Sequence, residues 1–244
     1  MNQKVNDKAE SYLQQALKKD RYFIPALNRL ASLYYRQGRI GEAIPLLRRV
    51  LSLDAYDGEA NYLYGLCNWR NEKTVDAKDG FSVATYSPAF RSAAYAKLGE
   101  IYLKESDLQK AEQYALRSLA YNTMNLDANQ VLMVVYRKRS QLEKAQQHYQ
   151  AILEKMPLYH FARFEQLYAG KQWQQETFTS LVRNELPFET YMELAGWYES
   201  VGCLDEALAI LSCAENYPIA LYKMAYLLDQ KGEQEKSLLM LKQA

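Results

Sequence analysis

The sequence is poor in the residues that build chemical centres. It carries three cysteines, Cys67, Cys203 and Cys213, with no CxxC pair among them. An odd count at isolated spacing excludes a disulfide framework and fits reduced, structural thiols. The two histidines, His148 and His160, stand twelve apart without a nearby cysteine cluster, which argues against a zinc site and leaves no metal to expect. His160 in YHFARFEQ has no nucleophile or orienting partner placed beside it, so it reads as a core or interface histidine rather than a base. There is no Gly-rich phosphate loop, no HExxH and no GxSxG. Carboxylates such as Glu189, Glu193 and Glu199 read as a solvated helical face. No cofactor is implied, and the chain is expected to be non-enzymatic.

Long apolar runs are missing as well. The strongest is VLMVV at 131–135, far short of the roughly 20 residues that cross a bilayer. MNQKVNDKAE is polar and contains no export signal. The compartment is therefore left open, with the cytoplasm slightly favoured. Neither charge sign dominates: 30 basic and 29 acidic residues give a net charge of +1, which argues against a dedicated nucleic-acid binder. What remains is a chain of 244 residues, 49 % hydrophobic, with the composition of a folded protein.

The stretch YYRQGRIGEAIPLLRRVLSLD, residues 34–54, is a helical pattern broken by two glycines and a proline. The break recurs. Ala9, Ala43, Ala77, Ala111 and Ala145 stand 34 residues apart, and four residues after each come Leu13, Leu47, Phe81, Ala115 and Tyr149. Seven after each come Ala16, Val50, Ala84, Ser118 and Ile152; offsets of four and seven define one helical face. A second helical set precedes each alanine, with Leu30-Ala31, Tyr64-Gly65, Leu98-Gly99 and Leu132-Met133 again 34 apart, then Tyr34, Asn68, Tyr102 and Tyr136. Each unit is thus two helices of about a dozen residues around a turn marked by Gly38, Ser106 and Ser140. Five of the six prolines fall at or near junctions between units, and Pro45 lies early in its helix.

These residues resemble the tetratricopeptide repeat. LNRLASLYYRQGRIGEAIPLLRRVLSLD matches its pattern almost throughout; YAKLGEIYLKESDLQKAEQYALRSLAYN and YMELAGWYESVGCLDEALAILSCAE match nearly as well. The resemblance implies an all-α fold: a right-handed α-solenoid of about seven helical hairpins, the first and last incomplete, forming a single array over 1–244. About fifteen helices are expected, and no sheet. Repeats are regular to about 178 and shortened over about 179–244, because the step from Thr179 to Ala207 is 28 and that from Ala207 to Ser237 is 30. The missing residues are expected around RNELPFET and ENYPIA. Unit three also departs, with Asn61 and Asn68 at usually apolar positions and the glycine-free turn NEKTVDA. Residues 7–19 match only a second helix and no polar cap follows LLMLKQA, so a segment of a larger protein is expected. More weakly, NLDANQVLMVVYRK and LEKMPLYHFARFEQ are similar to the repeat tail of large bacterial proteins that carry a mutarotase-like β-sandwich region.

The family resemblance places the first helix of each hairpin on a concave face. The positions after Tyr34 and its equivalents read Tyr35-Arg36, Trp69-Arg70, Leu103-Lys104 and Arg137-Lys138, with Asn28, Tyr62, Leu66, Phe161, Phe164 and Tyr168 as further groove candidates. A ladder of cations with aromatic neighbours suits an extended, acidic protein or peptide partner. Chaperone-tail clamps place Lys and Asn at matching groove positions; Asn28, Ser32, Leu63, Ala93 and Lys97 occupy those places here, and only Lys97 fits. Function is read as a protein-interaction scaffold. The alternatives are an accessory repeat domain of a carbohydrate-active or mutarotase-like protein, with an upstream domain of the same chain as its partner, and a self-association module.

Overall fold

The computed structural model describes residues 3–169, 173–183 and 186–244. It contains fifteen α-helices and, among the described residues, no strand. Helix α1 (Gln3–Lys19) is followed by seven helix–turn–helix pairs: α2 (Ile24–Arg36) with α3 (Ile40–Leu53), α4 (Gly58–Arg70) with α5 (Thr74–Ala84), α6 (Arg91–Lys104) with α7 (Leu108–Tyr121), and α8 (Leu126–Lys138) with α9 (Leu142–Lys155). The remaining three pairs are α10 (His160–Tyr168) with α11 (Gln175–Leu181), α12 (Pro187–Ser200) with α13 (Leu204–Leu211), and α14 (Pro218–Gln230) with α15 (Gln234–Gln243). The chain forms two compact units, Met1–Ile101 with Gln113–Ala128, and Tyr102–Glu112 with Asn129–Ala244.

Six of the seven hairpin turns share one backbone device. A single residue in the left-handed region follows the first helix: Gly38 (φ 76°), Glu72 (59°), Ser106 (62°), Ser140 (57°), Gly202 (74°) and Gly232 (78°). The next amide then reaches back five residues. Arg39 N–H donates to the Tyr34 carbonyl at 2.9 Å, Lys73 to Asn68 at 2.9 Å, Asp107 to Tyr102 at 2.9 Å, Gln141 to Tyr136 at 2.9 Å, Cys203 to Tyr198 at 2.8 Å and Glu233 to Leu228 at 2.9 Å. This is the Schellman arrangement, which satisfies carbonyls that a helix end leaves without intrahelical partners. The first four such residues stand 34 apart and the last two 30 apart, matching the alanine register. Glu72 fills, in the glycine-free turn, the conformation that Gly38 fills elsewhere.

Packing explains the ladder. Ala43, Ala77 and Ala111 are 0 % exposed and Ala145 is 1 %, while Ala9 is half-buried against the first core cluster. In the first unit Leu27, Leu30, Leu33, Leu47 and Val50 form that cluster, and Ala77, Phe81, Ala84, Leu98 and Ile101 a second. Each large side chain so buried contributes about 1.5–3 kcal/mol. Between α4 and α5 the approach is closer than any side chain allows: a methyl at Gly80 would sit 2.8 Å from the Asn61 carbonyl oxygen and 2.9 Å from the Gly65 nitrogen. The two asparagines at usually apolar positions answer to the backbone, Asn61 Nδ2 donating to the carbonyls of Ala55 and Asp57 and Asn68 Nδ2 to that of Tyr64.

The shortening shows in the second helices. Helices α12 and α14 are full, at 14 and 13 residues, whereas α11 has 7 and α13 has 8 before a 3-10 turn at Ser212–Ala214. The truncated helices end just before the stretches RNELPFET and ENYPIA; Asn184 and Glu185 in the former lie outside the described residues.

The turn geometry makes a direct prediction. A methyl at Gly38 meets nothing within 4 Å, so Gly38→Ala tests the backbone alone and should lower stability by about 1 kcal/mol. Glu72→Gly should raise it by a similar amount. Urea unfolding of both variants checks the pair, and equal stabilities would contradict the left-handed assignment.

Candidate functional site

In the first unit α2 and α4 present Tyr35-Arg36 and Trp69-Arg70 one repeat apart. Arg36 and Arg70 are exposed, and Tyr35 and Trp69 half-buried. The Arg70 guanidinium lies 5.8 Å from the Tyr35 ring centroid, and neither arginine is paired with a carboxylate among the described residues. Tyr62, Leu66 and Trp69 lean on the second core cluster, Tyr62 packing on Phe81 and Phe90 at 5.6 and 5.5 Å. Burial pushes the Tyr62 phenol up to about 12 and raises that of Tyr35. Both are neutral donors at physiological pH.

Asn28 and Lys97 do other work. Asn28 is buried, and its Nδ2 donates to Asp57 Oδ1 at 3.1 Å; Asp57 in turn caps α4 by accepting from Ala60 N at 2.7 Å. Asn28 therefore joins two helices. Lys97 Nζ bonds Glu100 at 2.9 Å and Asp127 at 2.7 Å. Burial alone would lower its pKa, but the two carboxylates outweigh that and hold the ammonium above its ordinary value. Lys97 is spent inside the fold.

The second unit holds the other candidates, and most of them are spent too. Arg137 Nε donates to Glu165 Oε2 at 2.7 Å and Nη2 to Glu165 Oε1 at 3.1 Å. Nη2 also donates to Glu206 Oε1 at 2.7 Å, and Lys138 Nζ lies 3.2 Å from the same oxygen. Tyr198 OH donates to Glu165 Oε1 at 2.5 Å, and the Tyr168 ring lies 5.0 Å below the Arg137 guanidinium. The Glu165 side chain is 0 % exposed and that of Arg137 only 12 %. Two cations meet two carboxylates, so nothing net remains for an acidic partner.

Burial raises the Glu206 carboxyl, but Arg137 and Lys138 outweigh it and hold the group below its ordinary value of 4.5. Burial, reinforced by Glu206, pushes the Cys203 thiol up to about 12, which makes it inert as a nucleophile. Lys104 is exposed, and its aliphatic stem passes Gly202, where a methyl would lie 3.6 Å from Cγ.

Phe161 and Phe164 are corrections. Both were expected on an exposed groove, and both are 0 % exposed. Phe161 stacks on Tyr198 at 5.0 Å with an interplanar angle of 8°, and Phe164 packs on Tyr198, Phe178 and Tyr168 at 5.3, 5.5 and 5.1 Å. Glu165, Glu206 and Tyr198 are the residues sequence reasoning missed. A signal existed: Glu165 and Lys97 occupy the register position that Leu63 and Val131 hold as core residues, and a charge in an apolar register is buried and must be paired.

The geometry defines a class, an all-α protein of repeated helical hairpins closed by a common turn. The sequence pattern of the tetratricopeptide repeat family matches residues 5–58 and 28–79. The whole chain has the fold of its members. A tetratricopeptide repeat protein from Parabacteroides merdae is 16 % identical with a TM-score of 0.60, covering 97 % of this chain and 84 % of its own. MamA is 24 % identical, TM-score 0.57, over 62 % of this chain and 89 % of its own. YrrB, a repeat protein described as having an unusual peptide-binding site, is 18 % identical, TM-score 0.55, over 81 % and 91 %. No curated protein matches the sequence. Among the described residues no helix is long and apolar enough to cross a membrane, and no cluster of His, Cys, Asp and Glu is arranged to hold a metal.

The Arg137 network yields a stability prediction. Arg137→Met leaves buried Glu165 without a cation and Glu206 with Lys138 alone, and should cost about 3–5 kcal/mol at pH 7. Because the Glu206 pKa is depressed in the folded state, its contribution is full above 4.5 and is lost as pH falls through the folded value. Glu206→Gln should therefore destabilise the protein at pH 7 and approach wild type in acid. Thermal unfolding from pH 7 to 3 measures this; a pH-independent difference would contradict the ion-pair account.

Proposed function

We propose that the chain is a protein-interaction scaffold whose first unit takes an extended, acidic peptide or partner segment across α2 and α4. Tetratricopeptide repeat proteins bind protein or peptide partners in general, and the peptide-binding site of YrrB shows that the fold supports this use. The observation that carries the finer reading is the pair Arg36 and Arg70. They are exposed, one repeat apart, and without a carboxylate partner among the described residues, whereas Arg137 and Lys138 are neutralised by Glu165 and Glu206. Beside them Tyr35, Tyr62, Leu66 and Trp69 offer partly exposed rings and an aliphatic edge. Guanidinium groups next to aromatics suit a carboxylate followed by an aromatic or aliphatic side chain.

Partners captured from lysate by the wild-type chain should be lost by Arg36→Ala/Arg70→Ala, a double change at exposed positions that leaves the core intact. With a captured peptide in hand, Arg70→Ala should cost about 2 kcal/mol of affinity, and wild-type affinity should fall with added salt. Recovery of the same partners at equal strength by the double variant would place the binding face elsewhere.

A further inference from the structure

A cavity of about 450 Å³ in the second unit is lined by Leu158, His160, Arg163, Leu181 and Arg183. Its charged lining is of one sign. Arg163 Nη1 donates to the Leu181 carbonyl at 3.0 Å and Arg183 Nε to that of Ser180 at 3.0 Å. Those bonds orient the guanidinium groups and use one donor of each; neither arginine meets a carboxylate among the described residues. His160 adds part of the wall, its Nδ1 itself being buried out of reach of solvent.

The local backbone adds to the same sign. The cavity lies against the first turn of α10, through His160 and Arg163. The residue before that helix is Tyr159, and no side chain caps the turn. At the equivalent register position Asp57 caps α4 through Ala60 N, and Asn125 caps α8 by accepting from Ala128 N at 3.0 Å. The start of α10 therefore keeps the partial positive charge of a helix end without a side-chain cap, as do those of α2, α12 and α14. Leu158 and Leu181 supply the apolar remainder of the wall.

From this geometry we infer a binding site for a small phosphate monoester, its oxyanion held by Arg163 and Arg183 and its organic part against Leu158 and Leu181. Two guanidinium groups and an uncapped helix start match a tetrahedral oxyanion, and the volume suits a compact organic molecule. The site is independent of the peptide groove proposed for the first unit.

Titration calorimetry of the full chain with phenyl phosphate tests it, with phenol and sodium chloride of equal ionic strength as controls. Saturable binding of phenyl phosphate is expected, with none for phenol. Arg183→Gln should weaken it about tenfold, the size of one charge-assisted hydrogen bond. Arg183 is exposed and bonds only a carbonyl three residues away, so that variant tests the site even where Arg163→Gln fails to fold. Absence of saturable binding, heat reproduced by sodium chloride, or unchanged affinity in Arg183→Gln would overturn the assignment.

Discussion

Everything in this fold depends on one reversal of the backbone. A residue in the left-handed region, followed by an amide bonded five residues back, ends the first helix of a hairpin and aims the second against it. The alanine ladder has meaning only because that turn puts Ala43 or Ala77 five residues on, where a larger side chain would hold the paired helices apart. The chain keeps the turn even where its composition resists it. Glu72, Ser106 and Ser140 bear the steric cost that Gly38, Gly202 and Gly232 avoid. In the shortened α12–α13 hairpin the second helix gives up residues and the turn at Gly202 is retained.

Within that frame the two units use charge in opposite ways. In the second, Arg137 holds Glu165 and Glu206, residues drawn from α10 and α13, so a single guanidinium joins three hairpins. Such a buried network contributes specificity of packing more than net stability, because desolvation offsets much of its Coulombic gain. The first unit spends Lys97 in the same manner, on Glu100 and Asp127, but leaves Arg36 and Arg70 in solvent. A ladder of cations read along the sequence is therefore partly scaffold and partly surface, and only burial separates the two.

The fold was legible because its signals repeat. One alanine proves little, whereas five in register with helical offsets leave few alternatives to paired helices. The site was less legible for a physical reason. Whether an aromatic at a groove position faces solvent depends on what packs over it, and Phe161 and Phe164 are covered by Tyr198 and Phe178, residues distant in sequence. Ion pairing spans still longer separations: Glu206 lies 69 residues from Arg137, and no local pattern announces that contact. Glu165 was readable in principle, as a charge in an apolar register. Arg36 and Arg70 face solvent at the positions that the repeat register gives them.

The turn itself is open to direct measurement through native-state hydrogen exchange. In ordinary loops the amides of Arg39, Lys73, Asp107, Gln141, Cys203 and Glu233 would exchange freely. Bonded back to the preceding helix at 2.8–2.9 Å, they should instead be protected about as strongly as interior helical amides of the same hairpin. Protection at these six positions, and open exchange at exposed loop amides such as that of Ala55, is the predicted result. Loop-like exchange at the six would contradict the account, because the hairpins would then be closed by side-chain packing alone.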